Sequence, residues 1–266
     1  MIKIATLVFL AGILTCFFTP SLLRATNNPC DATGCTPWQY SVDVKFKKQL
    51  SNQCWYDFIY RYKFRTCNGV PEFAIEDVVV SYRVNDTLNN GLNCTLNLIQ
   101  CDEIMKAVEK HHVMVEINLQ PGQSVISRKP SSCYYKLKVN LPQALLDCWG
   151  FSGYDPSQSE YYVIKPCDAQ GCCLVELTVN ANGTVTRSVL ASLPCNGPAP
   201  VILDDTLRMG CDLVGGGVQY YTVTVVPGQS PTCDPVCSPG MFITGEATDI
   251  ERSEPDVKGY TVYPNP

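Results

Sequence analysis

Cysteine is the residue whose number and spacing give this sequence its clearest chemistry. The chain has 266 residues, with 16 cysteines and two adjacent histidines. Pairs such as Cys30 with Cys35 and Cys233 with Cys237 could anchor turns as disulfides or could bind a metal. Structural zinc sites prefer the tighter Cys-x2-Cys spacing and a reducing compartment. Disulfides are therefore the favoured interpretation, and no metal site is predicted.

The cysteine count also predicts one sulfur without a partner in the chain. Cys16 lies in an N-terminal segment that we expect to be removed, which leaves an odd number. At least one cysteine must then be free or must pair between chains. Cys172 and Cys173 are adjacent, too close to bond to each other in the usual geometry, so they should pair with different partners. The cysteines assigned to this set are Cys30, Cys35, Cys54, Cys67, Cys94, Cys101, Cys133, Cys148, Cys167, Cys172, Cys173, Cys195, Cys211, Cys233 and Cys237.

Catalytic chemistry is weakly represented. His111 and His112 follow a predicted helix, where a cationic or solvent-exposed pair is favoured over a Cys-His nucleophile. The sequence has no Gly-x-Ser-x-Gly, His-Glu-x-x-His or P-loop motif. Carboxylates are numerous, but no stretch singles out an acid/base pair. We therefore predict no catalytic residue and no cofactor.

Residues 1–25 have the pattern of a secretory signal peptide. Lys3 is followed by an apolar run from Ile4 to Phe18, and Ala25 ends a plausible cleavage site. Lipidation of Cys16 is a less favoured alternative, because Thr15 is a poor residue before a lipoprotein cysteine. Cleavage removes two cations and no acid, so the net charge falls from −5 to −7. This acidic balance excludes a basic nucleic-acid surface.

Alternation of apolar and polar residues predicts an all-β protein. Period-two runs bounded by Gly, Pro and Asn are typical of antiparallel β-sandwich sheets. Residues 101–112 instead have helical spacing and predict one short helix. The predicted strands are 38–47, 55–65, 75–84, 113–119, 133–141, 161–165, 173–179, 184–190 and 218–226.

A weak internal repeat suggests two related domains. The stretches PCDATGC, NDTL and PGQS recur in the same order as PCDAQGC, DDTL and PGQS. We predict two Ig-like β-sandwich domains braced by disulfides, at 26–150 and 151–240. An acidic linker at 241–259 follows.

Three predicted strands carry cations at alternate positions. If these strands share a sheet, their outward side chains form one basic face on an otherwise acidic protein. That face could bind an acidic polysaccharide, or the acidic second half of another copy. A charged face that protects a sheet edge is the alternative. The residues predicted to form it are Lys45, Lys47, Arg61, Lys63, Arg65, Lys136 and Lys138.

The last residues bear on localisation. The stretch at 260–266, Tyr-Thr-Val-Tyr-Pro-Asn-Pro, combines a strand with a turn. Placed after a linker, it resembles the start of the C-terminal sorting domain of type IX secretion cargo of the Bacteroidetes. Tyr263, Pro264, Asn265 and Pro266 match its opening. The resemblance implies that the rest of a small β-sandwich is missing, and that the complete protein is exported through the secretion machinery. Retention in the periplasm is the alternative.

Two short motifs agree with export. Asp-Thr-Leu at 86–88 and at 205–207 resembles the O-glycan acceptor motif of exported Bacteroidetes proteins, which implies glycosylation of Thr87 and Thr206. Ordinary loop chemistry is the alternative.

Together these features predict a secreted or cell-surface protein without enzymatic activity, for adhesion, glycan binding or structural assembly. A fibre-forming subunit joined by strand addition or by the odd cysteine is one alternative. A secreted polysaccharide hydrolase whose site is not identified is another. No transmembrane helix and no nucleic-acid partner are expected.

Overall fold

In the computed structural model the chain folds into an all-β protein, as the alternation of apolar and polar residues predicted. It describes residues 30, 33–40, 43–83, 87–89, 92, 94–151, 159–167, 172–195, 206–213, 216–242 and 249–250. The strands are Gln39–Tyr40 (β1), Val44–Gln49 (β2), Trp55–Cys67 (β3), Val70–Arg83 (β4), Ser124–Lys129 (β5), Cys133–Asn140 (β6), Ser159–Pro166 (β7), Cys173–Val179 (β8), Val185–Ser192 (β9), Thr206–Asp212 (β10), Val218–Val225 (β11), Asp234–Pro235 (β12), Gly240–Phe242 (β13) and Asp249–Ile250 (β14).

Helical segments are few. The predicted short helix is present as α1, which begins at Cys101 and ends at His111. A second helix of six residues, α2, runs from Gln143 to Cys148. Two single 3-10 turns lie at Thr87–Asn89 and Leu96–Leu98.

The long strands β3 and β4 form the centre of the sheet. They pair with each other along most of their length, and their register shifts near Asp77, where φ is 42°. Before this bulge β4 also pairs in parallel with β5, and after it β4 pairs with β7. A bulge bends the strand that carries it. The sheet therefore divides at β4 into a β5-β8-β9-β13 branch and a β7-β6-β11-β10 branch.

Both faces of this central sheet are buried. In β3, Phe58 and Tyr60 face a large core that also contains residues of α1 and β8. Ile59, on the other face, belongs to a second core with Trp149 and residues of α2, β10 and β11. We call these the large core and the second core. Residues two apart on a strand share a face. The run of three valines at 78–80 in β4 therefore supplies both cores.

The two halves of the sequence are interleaved in this arrangement. Strands β4, β5 and β6, which precede residue 150, hydrogen-bond to β7 and β8, which follow it. Each core also contains residues from before and after residue 150. The predicted boundary between 26–150 and 151–240 therefore runs through one sheet.

The segment 113–119, predicted as a strand, continues the helix instead. His112–Glu116 forms a π-helical turn, in which the N–H of Ile117 donates to the carbonyl of His112 over 2.9 Å. His112 and Val113 are fully buried in this turn. Contact with the large core outweighs the strand preference of the valines at 113 and 115.

Seven disulfides brace the described residues, and Cys101 keeps a buried free thiol. This confirms the predicted odd cysteine and the separate partners of Cys172 and Cys173. Such a density of disulfides is typical of a protein that folds in an oxidising compartment. The bonds are Cys30–Cys172, Cys35–Cys67, Cys54–Cys94, Cys133–Cys195, Cys148–Cys211, Cys167–Cys233 and Cys173–Cys237.

Within the described part of the chain, no helix has the length and apolar character needed to cross a lipid bilayer.

Candidate ligand-binding groove

The predicted basic residues do not share one face. Directly paired residues of neighbouring strands point to the same side of a sheet. Lys138 pairs with Tyr162, which faces the large core, whereas Lys45 pairs with Ile59, which faces the second core. Residues two apart on a strand share a face, so Lys136 lies on the same side as Lys138. The residues on the side of Lys45 are Lys47, Arg61, Lys63 and Arg65. The strands share a sheet as expected, but their registers place the two sets of cations on opposite faces.

Most of these cations are also matched by nearby acids or by aromatic rings. Arg61 is buried and lies 3.2 Å from Asp43 and 3.3 Å from Asp212. Lys63 contacts Glu76 at 2.6 Å, and Arg65 contacts Glu72 at 3.3 Å. An ion pair within the protein leaves little field for an external anion.

The remaining cations of this side lie against aromatic or strand partners. The Lys45 ammonium lies 5.6 Å from the ring centroid of Phe151. Lys47 pairs in the sheet with Asp57 and with Ile250 of β14. Trp38 lies beneath both Lys63 and Arg65, at 5.1 and 4.1 Å. A face of paired charges packed on rings stabilises the sheet surface rather than forming an anion site.

Lys136 and Lys138 instead border a polar groove on the α1 side of the sheet. The groove consists of two adjoining hollows of about 310 and 350 Å³. Asn97, Tyr162 and Gln229 border both hollows. Volumes of this size are typical of small-ligand sites in proteins. We call this feature the groove; its main lining residues are Tyr82, Asn97, Lys138, Glu160, Tyr162 and Gln229.

One wall of the groove is the segment 94–100, and Lys136 holds it in place. The Lys136 ammonium donates to the carbonyl oxygens of Leu96 at 3.2 Å and Asn97 at 3.1 Å, and also to that of Ile99. The Cys54–Cys94 disulfide ties the start of this wall to the residue that precedes β3. Three carbonyl contacts use the three donors of an ammonium. Lys136 is therefore a structural clamp rather than a free cation.

The opposite wall is the segment 229–234. The Gln229 side chain accepts from the N–H of Lys138 at 2.7 Å and donates to the Lys138 carbonyl at 2.8 Å, so it mimics a strand partner of β6. Asp234 accepts from the N–H of Cys101 at 3.0 Å, which fixes the wall to the start of α1. Both walls are thus held by contacts to β6 and α1, and the groove is formed in the folded chain.

The floor is made of tyrosines and one ion pair. Glu160 accepts from the Lys138 ammonium at 2.6 Å and from the Tyr162 hydroxyl at 3.0 Å. Burial, and next the Glu160 charge, raise the pKa of both Tyr82 and Tyr162. Both hydroxyls therefore stay protonated donors. Tyr82 is half-buried and packs edge-on against Tyr56, with ring centroids 6.2 Å apart.

The two histidines lie away from the groove, inside the large core. Tyr60 places its hydroxyl 3.3 Å from Nδ1 of both His111 and His112. Phe46 stacks on His111 with ring centroids 4.1 Å apart. Burial, and next the His111 charge, lower the pKa of His112 to about 3. The predicted solvent exposure is therefore wrong for both histidines, and the cationic state is wrong for His112, because the helix turns both rings into the protein interior.

Two clusters of side chains hold cysteine sulfurs as close together as the ligands of a metal ion would be. The Sγ atoms of Cys133, Cys167 and Cys233 lie within 4.8 Å of one another, as do those of Cys35 and Cys67 with a Glu72 oxygen. Every one of these sulfurs is bonded in a disulfide. A disulfide sulfur is not the thiolate that metals bind. The Cys101 thiol is buried, and burial raises its pKa, which keeps it protonated.

Both predicted glycosylation sites are exposed where they are described. Thr87 begins a 3-10 turn and Thr206 begins β10. The predicted signal peptide at 1–25 and the predicted sorting motif Tyr263, Pro264, Asn265 and Pro266 lie outside the described residues, as does most of the predicted linker at 241–259.

Comparison with known proteins found no relative. A scan against protein-family models gave no match, and neither a search of curated proteins nor one of solved structures gave a significant match. The groove itself therefore supplies the functional argument.

Proposed function

We propose that this chain is an extracellular, non-enzymatic binding protein that holds a neutral glycan in the groove. The observation that carries the proposal is the composition of the groove, in which tyrosines lie among amides and two acids that already have partners within the protein. Sugars combine an apolar ring face with many hydroxyls, so their sites need an aromatic surface and closely spaced hydrogen-bonding groups. Tyr82 and Asn97 offer both within one hollow, which Tyr162 and Gln229 also line.

The charges of the groove favour a neutral ligand over an acidic one. Lys138 is matched by Glu160, and the donors of Lys136 are used by backbone carbonyls. Asp234 adds a further negative group to the lining. No net positive field is left in the groove to attract a carboxylate or sulfate. The anionic ligand predicted from the sequence is therefore the weaker hypothesis.

The same residues argue against a hydrolase. A glycosidase needs one carboxylic acid that can give a proton to the leaving oxygen, and a second carboxylate across the bond. Both oxygens of Glu160 already accept hydrogen bonds, from Lys138 and Tyr162. This arrangement supports recognition of a sugar rather than proton transfer to it.

Export by type IX secretion is part of the proposal. It is supported by the N-terminal apolar segment, by the similarity of the last seven residues to a sorting-domain opening, and by the seven disulfides. Exposed Thr87 and Thr206 agree with it as glycan acceptors.

The test uses protein purified from culture fluid, whose intact mass should lack residues 1–25. We expect it to bind a neutral polysaccharide in calorimetry. Tyr82→Ala and Asn97→Ala should each weaken binding about tenfold, because each removes a contact worth about 1.4 kcal/mol. The matched control is Tyr220→Ala, which removes an exposed tyrosine of β11 away from the groove.

Four outcomes would contradict the proposal. Binding only to acidic polysaccharides would support the anionic alternative. Release of reducing ends would make the protein a hydrolase. Equal effects of Tyr82→Ala and Tyr220→Ala would place the ligand outside the groove. Retention of residues 1–25 in the intact mass would remove the argument for export.

A further inference from the structure

Two disulfides lie side by side where β6 begins. Cys133 is the first residue of β6, between the end of β7 and the short strand β12. Cys167 directly follows β7, and its N–H donates to the Cys133 carbonyl over 3.0 Å. Cys133 is bonded to Cys195, and Cys167 is bonded to Cys233. The sulfur of Cys133 nevertheless lies within 4.8 Å of both sulfurs of the second bond.

The four residues differ in exposure. Cys133 is fully buried and Cys195 is exposed, while Cys167 and Cys233 are half-buried. A thiol arriving from solvent therefore meets the Cys195 side of the first disulfide. The sulfur that it would displace is the buried one, next to the second disulfide.

We propose that Cys195, Cys133, Cys167 and Cys233 form a thiol–disulfide exchange site for low-molecular-weight thiols. In the first step the thiolate attacks Cys195 Sγ. A mixed disulfide forms on Cys195, the Cys133–Cys195 bond breaks, and its electron pair goes to Cys133. In the second step Cys133 attacks Cys167 or Cys233. A new disulfide to Cys133 forms, the Cys167–Cys233 bond breaks, and the displaced thiolate takes a proton from water.

The second step is favoured by burial. A thiolate at Cys133 would be a charge enclosed in the protein, with the Ser131 hydroxyl 3.9 Å from its sulfur. Burial disfavours the charged form of a thiol. Transfer to Cys167 or Cys233 moves the charge to a half-exposed position, where water solvates it. The number of disulfides is unchanged by this step, so the small thiol is the only added reactant.

The exchange would act on the groove. Cys233 lies between Thr232 and Asp234, which both line it. In the native pairing the Cys167–Cys233 bond ties this wall to the end of β7. Breaking the bond releases the wall, so small thiols would weaken ligand binding. This consequence rests on the proposed function, whereas the exchange chemistry does not.

Disulfide mapping of the Cys195→Ser variant tests the exchange directly. The variant leaves Cys133 unpaired beside the Cys167–Cys233 bond. We expect a Cys133–Cys167 or Cys133–Cys233 peptide in about a tenth or more of the molecules after alkylation and digestion. The matched control is Cys211→Ser, which leaves Cys148 unpaired; among the described residues no other disulfide is grouped with that pair. It should leave Cys167–Cys233 intact.

Recovery of Cys133 only as the alkylated thiol, with Cys167–Cys233 intact, would overturn the proposal. If Cys195→Ser fails to fold, limited treatment of the wild-type protein with glutathione replaces it. The expected product carries glutathione on Cys195 and a new thiol at Cys167 or Cys233. A new thiol at Cys133, or first opening of another disulfide, would reject the relay. Mapping does not depend on glycan binding, so this result and that of the groove variants are independent.

Discussion

At the scale of single residues, the histidine pair shows how burial decides protonation. Nδ1 of His112 faces the Tyr60 hydroxyl, whereas Nε2 has no hydrogen-bond partner among the described residues. A protonated ring would bury a charge with an unpaired N–H, which is costly. Tyr62 and Phe73 pack on the same ring, with centroids at 4.1 and 4.3 Å. His112 therefore acts as a neutral core residue.

This protonation state predicts a loss of stability in mild acid. The pKa of His112 is about 3 in the folded chain, and about 6.5 is expected once it is unfolded. Between these values only the unfolded chain binds the proton, so stability present above pH 6.5 is lost as the pH falls. The loss should reach about 2 kcal/mol near pH 5.

Urea unfolding of wild type and His112→Gln between about pH 7 and pH 5 measures this effect. The variant is less stable at pH 7 but should lose about 2 kcal/mol less across the range. Equal pH slopes in the two proteins would mean that the histidine is protonated in the folded state.

Arg61 illustrates a residue whose role the sequence did not indicate. Because Arg61 alternates with Tyr60 and Tyr62 in β3, the sequence predicted that it points outward, and its side chain does lie on the face opposite to the large core. The arginine is nonetheless buried, because β10 passes over it and Gly210 leaves room for the guanidinium. A Cβ on Gly210 would lie 2.7 Å from Arg61 Nη1. Strand periodicity gives the face of a side chain, but not what a distant strand places over that face.

At the scale of elements, a buried ionic network joins α1, β5 and β9. Glu109 of α1 accepts from Ser127 at 2.7 Å, from Arg187 at 3.0 Å, and from Lys129. Burial alone would raise the pKa of Glu109, but the charges of Lys129 and Arg187 hold it below the usual range. The carboxylate is therefore ionised, and it balances two buried cations.

Removing that carboxylate should strongly destabilise the fold. Glu109→Gln keeps the size of the side chain but leaves Lys129 and Arg187 buried without their counter-charge, which should cost about 3–5 kcal/mol. Denaturant midpoints measure the loss. Glu103→Gln is the control on the same helix. It removes a half-exposed acid that binds Ser51 and should cost less than about 1 kcal/mol. Similar costs for both variants would mean that the fold does not depend on the Glu109 charge to balance Lys129 and Arg187.

The same network explains which strands could be predicted from the sequence. Strands with apolar inward residues, such as β3 and β8, were found close to their observed bounds. β5 was missed because its inward positions are Val125, Ser127 and Lys129, of which two are polar. A polar residue that faces a buried partner looks like a surface residue in the sequence. β10 was also missed, since its first residues matched a turn motif.

The groove could not be predicted from the sequence either, but the reason is different from that for the missed strands. Its lining comes from five separate parts of the chain, including Tyr82, Asn97, Lys138, Glu160 and Gln229. Each of these residues is ordinary in its local context. Only the pairing of β6 and β7, and the anchoring of two loops by Lys136 and Gln229, bring them together. The sequence predicted Lys136 and Lys138 as binding residues, but as part of a basic face whose other members lie on the opposite side of the sheet.

At the scale of the whole molecule, the two cores share the strands that separate them. β3, β4, β6 and β7 each contribute alternate residues to both sides. Damage to one core must therefore loosen the strands that support the other. This arrangement predicts one cooperative transition rather than two.

A substitution in each core tests this coupling. Leu146→Ala in the second core and Leu177→Ala in the large core each remove a fully buried side chain and should cost about 2–5 kcal/mol. With the disulfides intact, tryptophan fluorescence and far-UV circular dichroism should shift to a common midpoint in both variants. A biphasic curve, or a shift seen by one probe alone, would mean that the cores unfold independently.

The Cys30–Cys172 bond imposes an order of events during biosynthesis. Its two cysteines are 142 residues apart, whereas the partners of Cys35 and Cys54 follow within 32 and 40 residues. As the chain emerges from its N-terminus, Cys30 stays reduced while these nearer pairs can already close. During that interval its thiol can be captured by any neighbouring sulfur, and a wrong pair must then be reopened. A disulfide isomerase added with an oxidant should therefore raise the yield of the native pairing, whereas a reducing cytosol would leave these bonds unformed.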